Sequence, residues 1–144
     1  MNYSHEQLQA VAQRTADAYA EVANKLMGCK LPIPVDLTFT LQNTKPKAAG
    51  CAWHTMLVEI NMILFEDNID HILNNTIPHE IGHLAQYDRF NQRGADTSGH
   101  GVEWQEIMRR LGKKPTKFHT LDVTRAVEHY KGLKKPRKSK KDIL

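Results

Sequence analysis

The segment Thr76–Ala85 has the sequence TIPHEIGHLA, and the interpretation of the rest of the chain depends on it. Within it, His79 and His83 are four residues apart in a His-Glu-x-x-His pattern. On a helix this spacing places both imidazoles on one face, one turn apart, where they can bind a single Zn²⁺ ion. Glu80 leaves the helix at a different angle, which suits a carboxylate that takes a proton from water beside the metal.

A catalytic zinc site needs a third protein ligand and one open position. Downstream, Ser98–Trp104 has the sequence SGHGVEW, in which His100 lies between two glycines that leave its ring room to turn. We predict His100 as the third ligand. Glu103 and Glu106 are alternatives, because some zinc enzymes take a glutamate from the following helix. The polar stretch Arg89–Gly99 predicts a loop at the mouth of the site.

Together these motifs resemble the SprT-like zinc metalloproteases, a family with members that degrade proteins crosslinked to DNA. The resemblance covers roughly Val11–Val123, and its matching segments are PHEIGHL at 78–84, HGVEW at 100–104, Met108–Gly112, GCAW at 50–53 and Ile60–Asn61. His-Glu-x-x-His alone occurs in many zincin families, whereas its combination with a later His-Gly-x-x-Trp is more selective. The resemblance implies a zincin-like fold, peptide hydrolysis, zinc ligation by His79, His83 and His100, and Glu80 as the catalytic base.

Hydrophobic periodicity predicts an α+β domain over residues 1–130. The first helix, Ser4–Gly28, has a capping box and an apolar face formed by Leu8, Val11, Ala12, Thr15, Tyr19, Val22 and Leu26. Alternating or β-rich runs predict a small sheet of three strands at Val35–Leu41, Ala48–Trp53 and Met56–Asn61. Further helices are predicted at Ile63–Asn75, at the motif and at Gly101–Leu111, whose apolar face contains Trp104 as a core anchor.

Two details of these elements bear on the site. Asp67 or Asn68 is expected to cap a fresh start within the second helix, and Pro78 either kinks the chain or occupies the first turn of the motif helix. The strand edge at Ala49–Trp53 is a candidate for binding substrate backbone by β-augmentation, and the alternative is that Trp53 is only a core aromatic.

Several polar residues are candidates for supporting the site. Glu103 is expected to orient a ligand histidine, and Asp88 and Tyr87 are further candidates for such contacts. His119 is expected to line the cleft. His71 lies two turns before His79, but we expect it to be a solvated surface residue.

Charge is unevenly distributed along the chain. Residues 1–130 carry 13 Lys/Arg and 15 Asp/Glu, a net charge of −2, whereas residues 131–144 carry seven Lys/Arg and one Asp, a net charge of +6. This tail is predicted to be disordered and to contact DNA phosphates through Lys134, Lys135, Arg137, Lys138, Lys140 and Lys141. A second basic cluster precedes it at Arg109, Arg110, Lys113, Lys114 and Lys117. The alternative function is therefore a nucleic-acid-binding module with a structural zinc and little or no proteolysis.

Composition restricts the class of protein. The chain has no transmembrane run and no basic-then-apolar leader, so we expect a cytoplasmic protein. Its two cysteines, Cys29 and Cys51, form no disulfide framework. Because no cysteine follows Cys51, we expect this chain to lack the four-cysteine zinc ribbon that many SprT-like proteins carry.

Overall fold

The computed structural model describes residues 2–41, 45–90, 99–116 and 119–133, and they form the expected α+β fold with a three-stranded sheet. The elements in chain order are α1 (His5–Met27), β1 (Asp36–Thr40), β2 (Gly50–Ala52), β3 (Leu57–Asn61), α2 (Met62–Asp67), α3 (Ile69–His71), a π-helical turn (Ile72–Thr76), α4 (Ile77–Phe90), α5 (Val102–Arg110) and α6 (Thr124–Leu133). None of the helices in the described part of the chain is long and apolar enough to span a membrane.

The sheet has the strand order β1-β3-β2. β1 runs parallel to β3 from the pair Asp36–Leu57 to the pair Thr40–Asn61, while β2 pairs antiparallel to β3. The central position of β3 buries Val58 and Ile60 completely. The three predicted strands are therefore confirmed, each shorter than expected, and β2 is left at an edge.

Helix α1 begins and ends as predicted but presents a different face to the core. The Ser4 side chain caps it in a capping box with Gln7, and Gly28 ends it with a φ of 65°. Leu8 and Ala12 are buried as expected, and the face continues through Ala16, Ala20 and Ala23. Val22 and Leu26 are 38% and 60% exposed, so their predicted burial is wrong. Because alanine side chains are small, α1 can pack closely against α4 on its alanine side. The buried face of α1 is therefore the one that carries these alanines.

The predicted helix Ile63–Asn75 is interrupted. The predicted fresh start is present, with Asn68 in the N-cap position of α3, but the Asn68 amide donates to the carbonyls of Leu64 and Asp122 and its side chain makes no capping hydrogen bond to α3. The π-helical turn follows, with the Ile77 N–H donating to the Ile72 carbonyl. Pro78 comes next and has no N–H for the carbonyl four residues earlier, which accounts for the change of winding at the start of α4.

The C-terminal elements close the core. On α5, Trp104, Ile107 and Met108 are buried as predicted. Helix α6 was not predicted, and Arg125 on it binds Asp67 of α2 at 3.0 Å. Because α6 extends to Leu133, the predicted boundary at residue 130 falls inside a helix. Residues 134–144, which include the six basic residues assigned to DNA contacts, lie outside the described residues, as does Lys117.

The alanine face of α1 leads to a stability prediction. Ala20 is fully buried and Ala18 is exposed on the same helix. We expect Ala20→Leu to lower the free energy of unfolding by about 1–3 kcal/mol, because the added carbons overpack a fully buried position. The matched change Ala18→Leu should alter it by less than about 0.5 kcal/mol. Urea unfolding of both variants measures the difference, and equal effects would contradict the assigned face.

Candidate metal centre

Three imidazole rings converge at one place, two of them from α4 and one from the segment just before α5. His79 and His83 lie one turn apart on α4, with Nε2 atoms 3.3 Å apart. The Nε2 atom of His100 lies 3.0 Å from that of His79. One ring nitrogen from each of the three lies within 4.8 Å of the other two, close enough for all three to hold one metal ion.

The donor set fits a tetrahedral metal ion such as Zn²⁺. Zinc–nitrogen bonds of about 2.0–2.1 Å place neighbouring ligand nitrogens about 3.3 Å apart in a tetrahedron, which the His79–His83 distance matches. Glu103 and Glu106, the alternatives for the third ligand, belong to no such group among the described residues. The Glu106 carboxylate instead lies 3.2 Å from Arg110.

Burial keeps the histidine rings neutral. It is the largest of the causes that lower the pKa of His79 to about 3 and that of His83 to about 4, and a smaller part of each shift comes from the neighbouring histidines. Near neutral pH each ring therefore carries a lone pair for a metal ion.

Hydrogen bonds behind the rings fix which nitrogen carries the proton. His83 Nδ1 lies 3.2 Å from Gln86 Oε1, and an amide oxygen only accepts, so Nδ1 donates and Nε2 keeps its lone pair. Gln86 is fully buried, and its Nε2 has no partner among the described residues. The ring of His79 hydrogen-bonds to the backbone of Thr116. These contacts orient two of the three rings from outside the cluster.

The indole ring of Trp104 packs against the three histidine rings. Its indole Nε1 donates to the His79 carbonyl at 3.2 Å, and its ring centroid lies 4.7 Å from that of His79 and 4.8 Å from that of His100. This packing requires a glycine at position 82, because a Cβ there would lie 2.8 Å from Met108 Sδ and 3.0 Å from the indole nitrogen. Gln105 donates to the His100 carbonyl at 3.0 Å and holds the entry to α5.

Glu80 lies beside the histidines against the sheet edge. It is only 5% exposed, and burial raises the pKa of its carboxyl to about 8. A Cβ on Gly50 of β2 would lie 3.0 Å from Glu80 Oε2, so the glycine makes room for this carboxyl. The buried acid and the edge strand are therefore in direct proximity.

A cavity of about 480 Å³ opens over the three histidines. Gly50, Cys51 and Ala52 of β2 line one side, and Tyr87 donates its hydroxyl to the Ala52 carbonyl at 3.3 Å. The remaining lining residues are Ala48, His71, Asn75, Thr76, His79, Glu80, His83, Gly99, His100, Met108, Lys113, Lys114, Thr116 and His119.

His119 lines this cavity as the sequence predicts, and Tyr87, which was predicted to support a ligand histidine, also lines it, with its ring centroid 6.3 Å from that of His83. Both ring nitrogens of His119 contact backbone, Nε2 at 2.7 Å from the Lys47 carbonyl and Nδ1 accepting from the Leu121 N–H at 3.2 Å. His119 therefore joins the chain before β2 to the segment before α6. The expected solvation of His71 is wrong, because the π-helical turn follows it and places it, half-buried, in the cavity wall.

Other predicted supporting residues lie elsewhere. Asp88 accepts from the Lys30 N–H at 3.2 Å and does not line the cavity. Gln86, rather than Glu103, contacts a ring of the cluster.

Trp53 is 49% exposed, so the alternative that it is a core aromatic is wrong. Cys29 is buried and Cys51 exposed, and both are free.

Four contributors were missed from the sequence. Gln86 is three residues after His83, a spacing that places it on the same helical face and could have indicated its role. Thr116, Lys113 and Lys114 come to the cavity through the turn after α5, and no local pattern indicates that.

The raised pKa of Glu80 leads to a pH prediction for the metal-free protein. Between about pH 5 and 8 folded Glu80 holds a proton that the unfolded chain has released, so this residue lowers the free energy of unfolding as pH rises. We expect Glu80→Gln to raise the Tm of chelator-treated protein by several degrees at pH 9 and by much less at pH 5. Thermal unfolding at the two pH values tests this, since the histidines are common to both proteins. An equal Tm difference at both would contradict it.

Sequence comparison places these features in a family. The SprT-like family matches residues 16–126. Protein SprT of Vibrio atlanticus is 29% identical over 126 residues, covering 86% of this chain and 70% of the relative. Protein SprT of Pseudomonas putida is 33% identical over 120 residues, covering 82% and 69%. No solved structure matches the chain. The residues that the family matches contain His79, Glu80, His83 and His100, and the chain belongs to the SprT-like family.

Proposed function

We propose that this chain is a zinc-dependent metallopeptidase of the zincin type that hydrolyses peptide bonds. The observation that carries the proposal is the convergence of three imidazole Nε2 atoms on the floor of an open cavity, with a buried carboxyl beside them. Membership of the SprT-like family supports the same chemistry.

His79, His83 and His100 would hold the zinc ion. Zinc bound there would supply a Lewis acid that polarises a substrate carbonyl and lowers the pKa of water toward about 7. Structural zinc sites are normally closed by four protein ligands. Among the described residues only three candidate ligands converge, and a cavity lies over them. This favours an enzyme over a nucleic-acid-binding module with a structural zinc.

Glu80 is the proposed proton carrier. Its carboxyl lies against β2 and lines the same cavity as the histidines, where it could accept a proton from the attacking water at a carboxylate oxygen and deliver it to the leaving amine. Burial raises the pKa of this carboxyl to about 8 in the metal-free protein, and the positive charge of a bound zinc ion would lower that pKa and favour the carboxylate form that a base requires.

The edge strand β2 is proposed to bind the substrate backbone. Its three residues line the cavity, and one of its edges pairs with β3 while no other strand of the described chain pairs with the opposite edge. An extended peptide added to this edge would pass over the histidines. Tyr87 positions β2 through its bond to the Ala52 carbonyl.

DNA-bound or DNA-crosslinked proteins are the proposed substrates, as the family resemblance implies. The basic tail could hold this enzyme near DNA by phosphate contacts that depend on salt and not on sequence. Such contacts would concentrate the protease on proteins that share the same DNA.

Zinc affinity is expected to depend on Gln86. Gln86→Leu removes the acceptor behind His83, and we expect the zinc Kd to rise about 10–100-fold, because the ring loses its fixed orientation. Gln86→Glu keeps an acceptor oxygen and should bind zinc more tightly than Gln86→Leu. Chelator competition measures these affinities, and His100→Ala, which removes a proposed ligand, sets the lower limit of the assay. An unchanged Kd in Gln86→Leu would show that the contact has no influence on the metal.

Glu80→Gln tests the proposed function directly. We expect this variant to retain zinc but to cleave a DNA-binding protein at least about 100-fold more slowly than wild type, because the proton carrier is lost. Cleavage is followed by gel electrophoresis with and without single-stranded DNA, alongside metal content. Normal cleavage by Glu80→Gln would exclude Glu80 as the base. Cleavage that requires Glu80 but ignores DNA would retain the protease and remove the DNA role.

A further inference from the structure

The walls of the cavity differ in charge. Among its described lining residues the charged side chains besides the histidines are Glu80, Lys113 and Lys114. Glu80 is buried against β2, whereas Lys113 is half-buried and Lys114 exposed. The surface that a ligand meets in the cavity is therefore positively charged.

The lysines lie across the histidines from the edge strand. β2 meets α4 at Glu80 and Tyr87, which are seven residues apart and share one helical face. α5 meets α4 on a different face, through His79 and Gly82. The segment Lys113–Thr116, here called the lysine wall, follows α5. The Lys113 N–H donates to the Met108 carbonyl at 2.9 Å, and the Thr116 backbone contacts the ring of His79.

The positive charge of the lysine wall is not neutralised within the described chain. The Lys113 ammonium lies 5.5 Å from the centre of the Tyr19 ring, which holds it in place without removing its charge. Neither Lys113 nor Lys114 forms an ion pair with a described carboxylate, unlike Arg110, which pairs with Glu106. Tyr19 does not line the cavity, so Lys114 is the member of the predicted basic cluster whose ammonium is available to a ligand there, with Lys113 adding positive charge beside it.

We propose that the lysine wall selects peptide substrates with an acidic side chain close to the bond that is cleaved. The inference rests on the proposed peptidase function and adds a substrate class to it. A peptide paired with β2 would be bound there mainly through its backbone, so the hydrogen bonds to β2 would not distinguish acidic from basic side chains. On the opposite side, a carboxylate would meet the Lys114 ammonium at the rim of the cavity, with the charge of Lys113 close by, and such a charge-assisted contact favours an acidic side chain over a basic one.

A peptide carboxylate fits this site better than a nucleic acid. Phosphate backbones bind through several cations spread along an open surface. Here the two lysines lie at the rim of a cavity of about 480 Å³, and the nearby Arg110 is already paired. The recognised group is therefore a single carboxylate brought in by an extended chain.

The test measures binding and cleavage separately. Zinc-loaded Glu80→Gln protein is titrated with two labelled peptides that differ only in Glu or Lys at the positions flanking a cleavage site. We expect the Glu peptide to bind about tenfold more tightly. Adding Lys114→Glu should abolish or invert this preference. Arg14→Glu makes the same charge change on the exposed face of α1 and should leave it intact.

The outcomes separate the two proposals. Equal binding of both peptides, or a preference that remains in Lys114→Glu, would contradict the proposed role of the lysine wall, even if wild type cleaves both peptides. A binding preference that depends on Lys114, with no cleavage by wild type, would support charge selection by the lysine wall and would contradict the proposed peptidase function. If Lys114→Glu abolishes binding of a short oligothymidine but leaves the peptide preference unchanged, the lysines contact nucleic acid and the proposal fails.

Discussion

The close packing of α5 on α4 at Gly82 is the contact on which the site depends. Without a side chain at this position, the Trp104 indole reaches under the histidine rings and binds the His79 carbonyl. That contact brings the chain before α5, and with it His100, to the two histidines of α4. A single missing Cβ therefore allows three metal-binding groups from two separate segments to meet.

Burial gives the site its chemical character. Burial keeps the rings of His79 and His83 neutral, their nitrogens lie close to a nitrogen of His100, and Glu80 lies in the same cavity in surroundings that favour its uncharged form. Lone pairs facing one another in a buried site are poorly satisfied unless a cation or proton lies between them. A bound metal ion would satisfy them, so folding of this region and metal binding are expected to be coupled.

The cavity combines two kinds of recognition surface. β2 offers backbone hydrogen-bonding groups, which suit any extended peptide. The lysine wall offers side-chain charge, which is proposed to discriminate between peptides. Residues of the π-helical turn, His119 and Tyr87 also line the cavity. General binding of a peptide and selection among peptides are thus assigned to opposite sides of the metal centre.

The sequence by itself determined the local features. It placed His79 and His83 on one helical face, the cap of α1, three strands and the apolar face of α5, because spacing of three, four or two residues fixes which side chains share a face. It also indicated His100 as the third member of the cluster. Only the tertiary structure decided which faces meet. In the structure, α1 buries its alanine stripe and leaves Val22 and Leu26 exposed. Gln86, rather than Glu103, contacts the His83 ring. Lys113 and Lys114 line the cavity. Those outcomes depend on contacts between residues far apart in the chain, and local periodicity carries no information about them.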